Sequence, residues 1–147
     1  MRGGATNQEA VRLEGVPVRT FLESQDHQHD LIRELQLIRI GERFDPATAE
    51  VSKRLAGLIA DLLRRYDGVR HATRDQMLAA LDRGEETAPL DVPVYPEMTE
   101  ALQTWLELLE EADRLCQHGE LLLLAASPDI RALRRWYATE VTARIAR

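Results

Sequence analysis

Apolar residues recur every three or four positions along most of this 147-residue chain. The longest series contains Val51, Leu55, Leu58, Leu62, Tyr66, Val69, Thr73 and Met77. This spacing places side chains on one face of an α-helix, and it is typical of helices that pack together in a bundle. No run alternates apolar and polar residues over a useful length, so we predict no strand. The pattern therefore predicts an all-α fold.

Proline, glycine and capping residues divide the chain into segments. Residues 1–15 are small and polar, and we expect them to be disordered, with a single helical-bundle domain over 16–147. Four helices are predicted, over about residues 16–42, 46–81, 96–118 and 128–145, with a proline-rich connector at 84–96. Asp45 and Ser127 are the expected N-caps before Pro46 and Pro128, Gly68 is the expected bend of the second helix, and 121–126 is an expected short turn.

These segments predict a four-helix up-down bundle in which two helices are long. Helices that extend beyond their partners leave apolar surface at one end, so we also expect a homodimer.

Charge and cysteine content exclude several functions. A net charge of -6 disfavours nucleic-acid binding, which needs a basic face. Cys116 is the single cysteine, so no internal disulfide forms and a cytoplasmic location is expected, with Cys116 in the core. We expect no membrane association, because no signal peptide is visible and no apolar run is long enough to cross a bilayer.

A polar block at Ser24–Asp30 interrupts the apolar face of the first helix. Extending that face backwards from Leu35 and Ile32 places Gln25, Gln28 and His29 on the inward side. A bundle with such residues where leucine normally packs either frays there or keeps a polar site.

Motifs of known enzymes and metal sites are missing from the sequence. It has no Gly-rich phosphate loop and no G-x-S-x-G elbow, and Glu-x-x-His does not occur. We therefore predict no metal and no cofactor, and a non-enzymatic role is favoured over catalysis.

A basic and aromatic patch lies on the last predicted helix, at Arg131, Arg134, Arg135 and Trp136. It is either a solvated face paired with the glutamates of the third helix or a docking surface for an acidic protein.

The string from His29 to Arg39 resembles the phospho-accepting helix of sporulation-type phosphotransferases and related sensor kinases. This resemblance implies that His29 accepts a phosphoryl group and that Asp30 assists it. Arg33 stands where that family has asparagine.

The C-terminal half, including Glu111–Cys116, Ser127-Pro128 and Arg134–Tyr137, resembles a helical module of actinobacterial regulatory proteins. That module is associated with anti-sigma-type ATPases and partner-switching phosphatases. The resemblance implies a regulatory interaction domain whose partner is a kinase, a phosphatase or an anti-sigma regulator.

The leading expectation is a signalling module that binds a partner protein through its first and last helices. The expected binding residues are Gln25, Gln28, His29, Arg33, Arg131, Arg134, Arg135 and Trp136. Two alternatives stay open: phosphotransfer through His29, and a small-ligand sensor with a polar pocket at the end of the bundle.

Overall fold

A computed structural model describes residues 9–41, 46–117 and 125–145. In chain order the elements are β1 (Glu9–Pro17), α1 (Val18–Gly41), α2 (Pro46–Arg65), α3 (Asp67–Asp82), β2 (Thr87–Val94), α4 (Met98–Gln117) and α5 (Pro128–Ile145). The described residues thus form five helices and one two-stranded sheet. The prediction of an all-α four-helix up-down bundle is therefore wrong.

The two strands pair antiparallel, with Val11 opposite Val92 and Leu13 opposite Leu90. These four side chains are buried. Burial alternates along both strands because successive side chains point to opposite faces of a sheet. Residues 9–15, expected to be disordered, and most of the expected connector at 84–96 therefore belong to the sheet.

A bulge in β1 keeps its apolar side chains on one face. The register shifts between Leu13 and Val16, and Gly15 within the shift has a φ of 65°. This backbone conformation suits glycine, and the extra residue turns Val16 back to the core side. Val16 is fully buried as a result.

Side chains cover both outer edges of the sheet at the position where Arg12 and Asp91 are paired. Nε2 of Gln76, on α3, donates to the carbonyl oxygen of Asp91, and Oε1 of Gln76 accepts from the Asp91 N–H, both at 2.8 Å. On the other edge, Nη1 of Arg144 donates to the carbonyl oxygen of Arg12 at 2.7 Å. Arg12 and Asp91 are opposite each other in the register. These contacts occupy backbone groups that an exposed edge offers to another strand.

Pro89 and Pro93 fit β2 because each lies two residues from Asp91, on the same outer edge. Proline lacks an N–H, and at this edge none is needed for pairing. The prolines that indicated a connector are therefore compatible with an edge strand.

The second predicted helix is two helices. They meet at Tyr66, whose φ of −114° and ψ of 30° are not helical. The predicted bend at Gly68 is two residues too late, and Gly68 itself lies within α3.

The start of α5 agrees with the prediction, because Oγ of Ser127 accepts from the Ile130 N–H at 3.2 Å. The N-cap expected at Asp45, residues 121–124 of the expected turn and the Cys116 side chain lie outside the described part of the structure.

Two apolar clusters form the core. The first packs between the sheet and helices α1, α3, α4 and α5, and it contains Leu13, Val18, Met77, Leu90, Leu102, Leu133 and Val141 among others. The second joins α1, α2 and α4 through Leu31, Leu55, Ile59, Leu62, Leu109 and Ala112. Tyr66 and Trp105 pack against both clusters. The molecule therefore has a junction between two cores at these two aromatic residues.

Gln76→Leu should lower the free energy of unfolding by about 1–3 kcal/mol, because the Asp91 N–H and C=O lose their partners. Gln103→Leu is the matched control, since Gln103 is exposed and bonds only Glu107 in the described structure. It should change stability by less than about 0.5 kcal/mol. Urea unfolding followed by circular dichroism measures both; equal effects would contradict this account of the edge.

Candidate functional site

A cavity of about 140 Å³ lies where the two cores meet. All five helices contribute to its lining. Its walls are mostly apolar and contain Phe21, Leu62, Leu63, Val69, Met98, Ala101, Leu102, Trp105, Leu133 and Tyr137. The polar lining consists of Ser24, Gln25, Gln28, His29, Tyr66, Arg70, Thr73 and Arg134. The volume is close to the ~150 Å³ of an engineered apolar cavity that binds benzene.

Three aromatic rings form a continuous part of the wall. The rings of Phe21 and Tyr137 have centroids 6.1 Å apart at 52°, and those of Trp105 and Tyr137 are 6.1 Å apart at 59°. Tilted contacts of this kind are favourable and keep the rings in defined orientations. Burial raises the pKa of the Tyr137 hydroxyl above its usual range, so this group stays neutral.

The polar block of α1 contributes a hydrogen-bonded pair to the lining. Nε1 of Trp105 donates to Oε1 of Gln28 at 3.0 Å, and Nε2 of Gln28 donates to the Ser24 carbonyl oxygen at 3.4 Å. Gln28 and Ser24 are buried, as the helical periodicity indicated for Gln28. His29, expected on the inward side, is exposed, although it also lines the cavity.

Gln25 connects α1 to α3. Its Nε2 lies 3.4 Å from both Oγ1 of Thr73 and the Arg70 carbonyl oxygen. Its Oε1 accepts from Nη1 of Arg74 at 3.2 Å. The amide is thus engaged at both ends, and this side of the lining is held in place.

Arg134 is the most deeply buried cation of the site, with 2% of its surface exposed. Its Nε donates to Oγ of Ser24 at 3.3 Å, and its Nη2 lies 3.3 Å from Nδ1 of His27. Its Nη1 lies 3.7 Å from Oδ2 of Asp113, which is also 2% exposed. Oδ1 of Asp113 accepts from the Ala126 N–H at 3.1 Å. The pair therefore ties α1, α4 and α5 together.

Two guanidinium groups share the Asp113 carboxylate. Nε of Arg131 lies 4.0 Å from Oδ2, on the same oxygen that faces Arg134. These separations exceed hydrogen-bond length. Among the described residues, Asp113 Oδ2, Arg131 Nε and Arg134 Nη1 are buried without hydrogen-bond partners. Burial lowers the pKa of Arg134 to about 10, with Asp113 opposing and Arg131 adding to the shift, so Arg134 stays charged at neutral pH.

The other residues predicted for a site are spread over the surface of α1 and α5. Asp30 and Arg33 are exposed, as is Arg135, whose Nε donates to Oε2 of Glu110 at 3.1 Å. Arg131 and Trp136 are partly buried. The binding face expected on the first and last helices is therefore divided, because the Gln28 and Arg134 side chains lie inside the protein. Partner binding, the homodimer and phosphotransfer through His29 stay predictions.

Sequence reasoning missed the roles of Tyr66, Trp105 and Asp113. None of the three was among the residues predicted for a site. Asp113 follows Leu109 by four residues, so its position on the apolar face of the helix could be recognised from the sequence. The Tyr66 hydroxyl is buried without a partner in the described structure, and burial raises its pKa.

The part of the chain that the structure describes contains no group of three or more potential metal-ligating side chains. Within those ranges, no helix combines the length and the apolar character of a membrane-spanning segment.

Asp113→Ala should lower the free energy of unfolding by about 3–5 kcal/mol, because it leaves the buried Arg134 charge uncompensated. Glu110→Ala removes the more exposed pair with Arg135 between the same two helices and should cost about 0–1 kcal/mol. Urea unfolding of both variants is the measurement, and a loss below about 1 kcal/mol for Asp113→Ala contradicts the pairing described here.

Comparison of the chain with models of known protein families, with curated proteins and with solved structures finds no match. The resemblances to phosphotransferases and to actinobacterial regulatory modules therefore stay predictions.

Proposed function

We propose that this protein is a non-enzymatic helical module that binds a small, mainly apolar molecule in the cavity between its helices. The observation that carries the proposal is the cavity of about 140 Å³, with aromatic and aliphatic walls and a few converging polar groups. Ligand sites in proteins commonly combine these two features.

The apolar volume itself supports the proposal. Protein interiors are packed as densely as organic crystals, so an apolar space of this size leaves the side chains around it without contacts that a filled interior gives them. A ligand that fills the space regains those contacts. Because Trp105 and Tyr137 hold each other in place, the walls are prepared for a ligand before it arrives.

The polar lining suits binding better than catalysis. Ser24, Gln25 and Gln28 bond to neighbouring protein groups, and these bonds fix their orientation. Such groups select and orient a ligand, while the apolar walls supply most of the binding free energy.

Probes of matching size test the proposal: benzene, indole and benzoate, measured by protein NMR titration. At least one should bind with a Kd on the order of 0.1–1 mM, as expected for a ligand of so few atoms. Ala101→Leu should weaken that binding at least about tenfold, because Ala101 lines the cavity and the three added carbons take up much of its space.

Ala79→Leu is the control, since Ala79 is exposed on α3 and lies outside the lining. It should bind the probe as the wild type does. Absence of binding by all three probes, or undiminished binding by Ala101→Leu, would overturn the proposal.

A further inference from the structure

We propose that the ligand of this cavity is a small monocarboxylic acid, whose carboxylate contacts Arg134 while its apolar part lies against the aromatic wall. This inference rests on the proposed function and specifies the chemical class of the ligand.

The first support is the unused donor capacity of Arg134. This side chain lines the cavity, is 2% exposed, and has an Nη1 group without a hydrogen-bond partner among the described residues. A guanidinium offers five N–H donors, and the two contacts described above use one on Nε and one on Nη2. Nη1 faces Asp113, which does not line the cavity, so the donor capacity left for a ligand is the second N–H of Nη2.

The second support is an excess of positive charge. Arg131 and Arg134 approach one oxygen of Asp113, and the other oxygen is occupied by the Ala126 N–H. One carboxylate therefore faces two guanidinium groups. Arg131 and Asp113 do not line the cavity, so a ligand carboxylate reaches this excess of positive charge through Arg134, which does.

The volume of the cavity limits the size of the apolar part of the ligand. A volume of about 140 Å³ accommodates one aromatic ring or a chain of about six carbons. Phe21, Trp105 and Tyr137 present ring surfaces to it. The expected class is thus an aryl or short-chain aliphatic acid, and the same charge excess disfavours amines.

Arg70 is the other cation of the lining, and it is the competing position for a carboxylate. Its Nη2 donates to Oδ1 of Asp67 at 2.8 Å, and the side chain is 36% exposed. Because this guanidinium already has a close counterion and is reached by water, an added carboxylate gains less there than at Arg134.

The decisive experiment compares benzoate, benzamide and benzylamine on the wild-type protein at pH 7 by NMR titration. The three probes share a ring and differ in the charge of the attached group. Benzoate should bind at least about tenfold more tightly than neutral benzamide, and benzylamine more weakly than both. If benzamide binds as tightly as benzoate, the carboxylate inference is wrong while binding in the cavity stands. If no probe binds, the proposed function fails as well.

A double variant tests the assignment to Arg134. Arg134→Met with Asp113→Leu removes both charges of the buried pair, so neither partner is left uncompensated. In this variant benzoate should bind within about twofold of benzamide, while benzamide binds as it does to the wild type. The control, Arg135→Met with Glu110→Leu, removes the more exposed pair of the same two helices and should keep the preference for benzoate.

Retention of the benzoate preference in the Arg134→Met, Asp113→Leu protein assigns the carboxylate to another cation and overturns the inference. If that protein does not fold, Arg70→Met decides instead. The preference should survive Arg70→Met, and its loss there contradicts the choice of Arg134.

Discussion

The buried guanidinium of Arg134 is the contact on which the arrangement around the cavity depends. A charge removed from water must be paired and hydrogen-bonded. Arg134 contacts Ser24 and His27 on α1, and its charge is paired with Asp113 on α4. Asp113 in turn holds the backbone N–H of Ala126, just before α5 begins. Three helices are thereby held in one relative position, and the cavity lies beside this cluster.

The cavity exists because the molecule has two cores instead of one. The break at Tyr66 separates α2 from α3, so the two helices pack in different clusters. Trp105 and Tyr66 bridge those clusters without filling the space between them. A single continuous helix over the same residues, as the periodicity predicted, gives one seam and no such junction. The local departure from helical geometry is thus what makes a ligand-sized space.

Local signals predicted part of this structure and non-local pairing decided the rest. Helical periodicity predicted the bounds of α4 and α5 almost correctly, and Ser127 marked the start of α5. The strands were missed because prolines occur in β2, a bulge at Gly15 interrupts the alternation in β1, and each strand forms by pairing with the other, more than 60 residues away. The inward orientation of the Gln28 side chain could be predicted from its spacing along the helix. The burial of Arg134 could not be predicted, because it depends on Asp113 and Ser24, which face it from other helices.

The most direct test of this account is NMR observation of the arginine Nε–H groups in the ¹⁵N-labelled protein, with the Arg134 signal assigned by its loss in the Arg134→Met, Asp113→Leu variant. Because this N–H is buried and donates to Ser24, its signal should exchange slowly with water. Benzoate should shift it and benzamide should not. Fast exchange of the Arg134 Nε–H, or a signal that benzoate leaves unchanged while it binds, would contradict the central place given to this guanidinium.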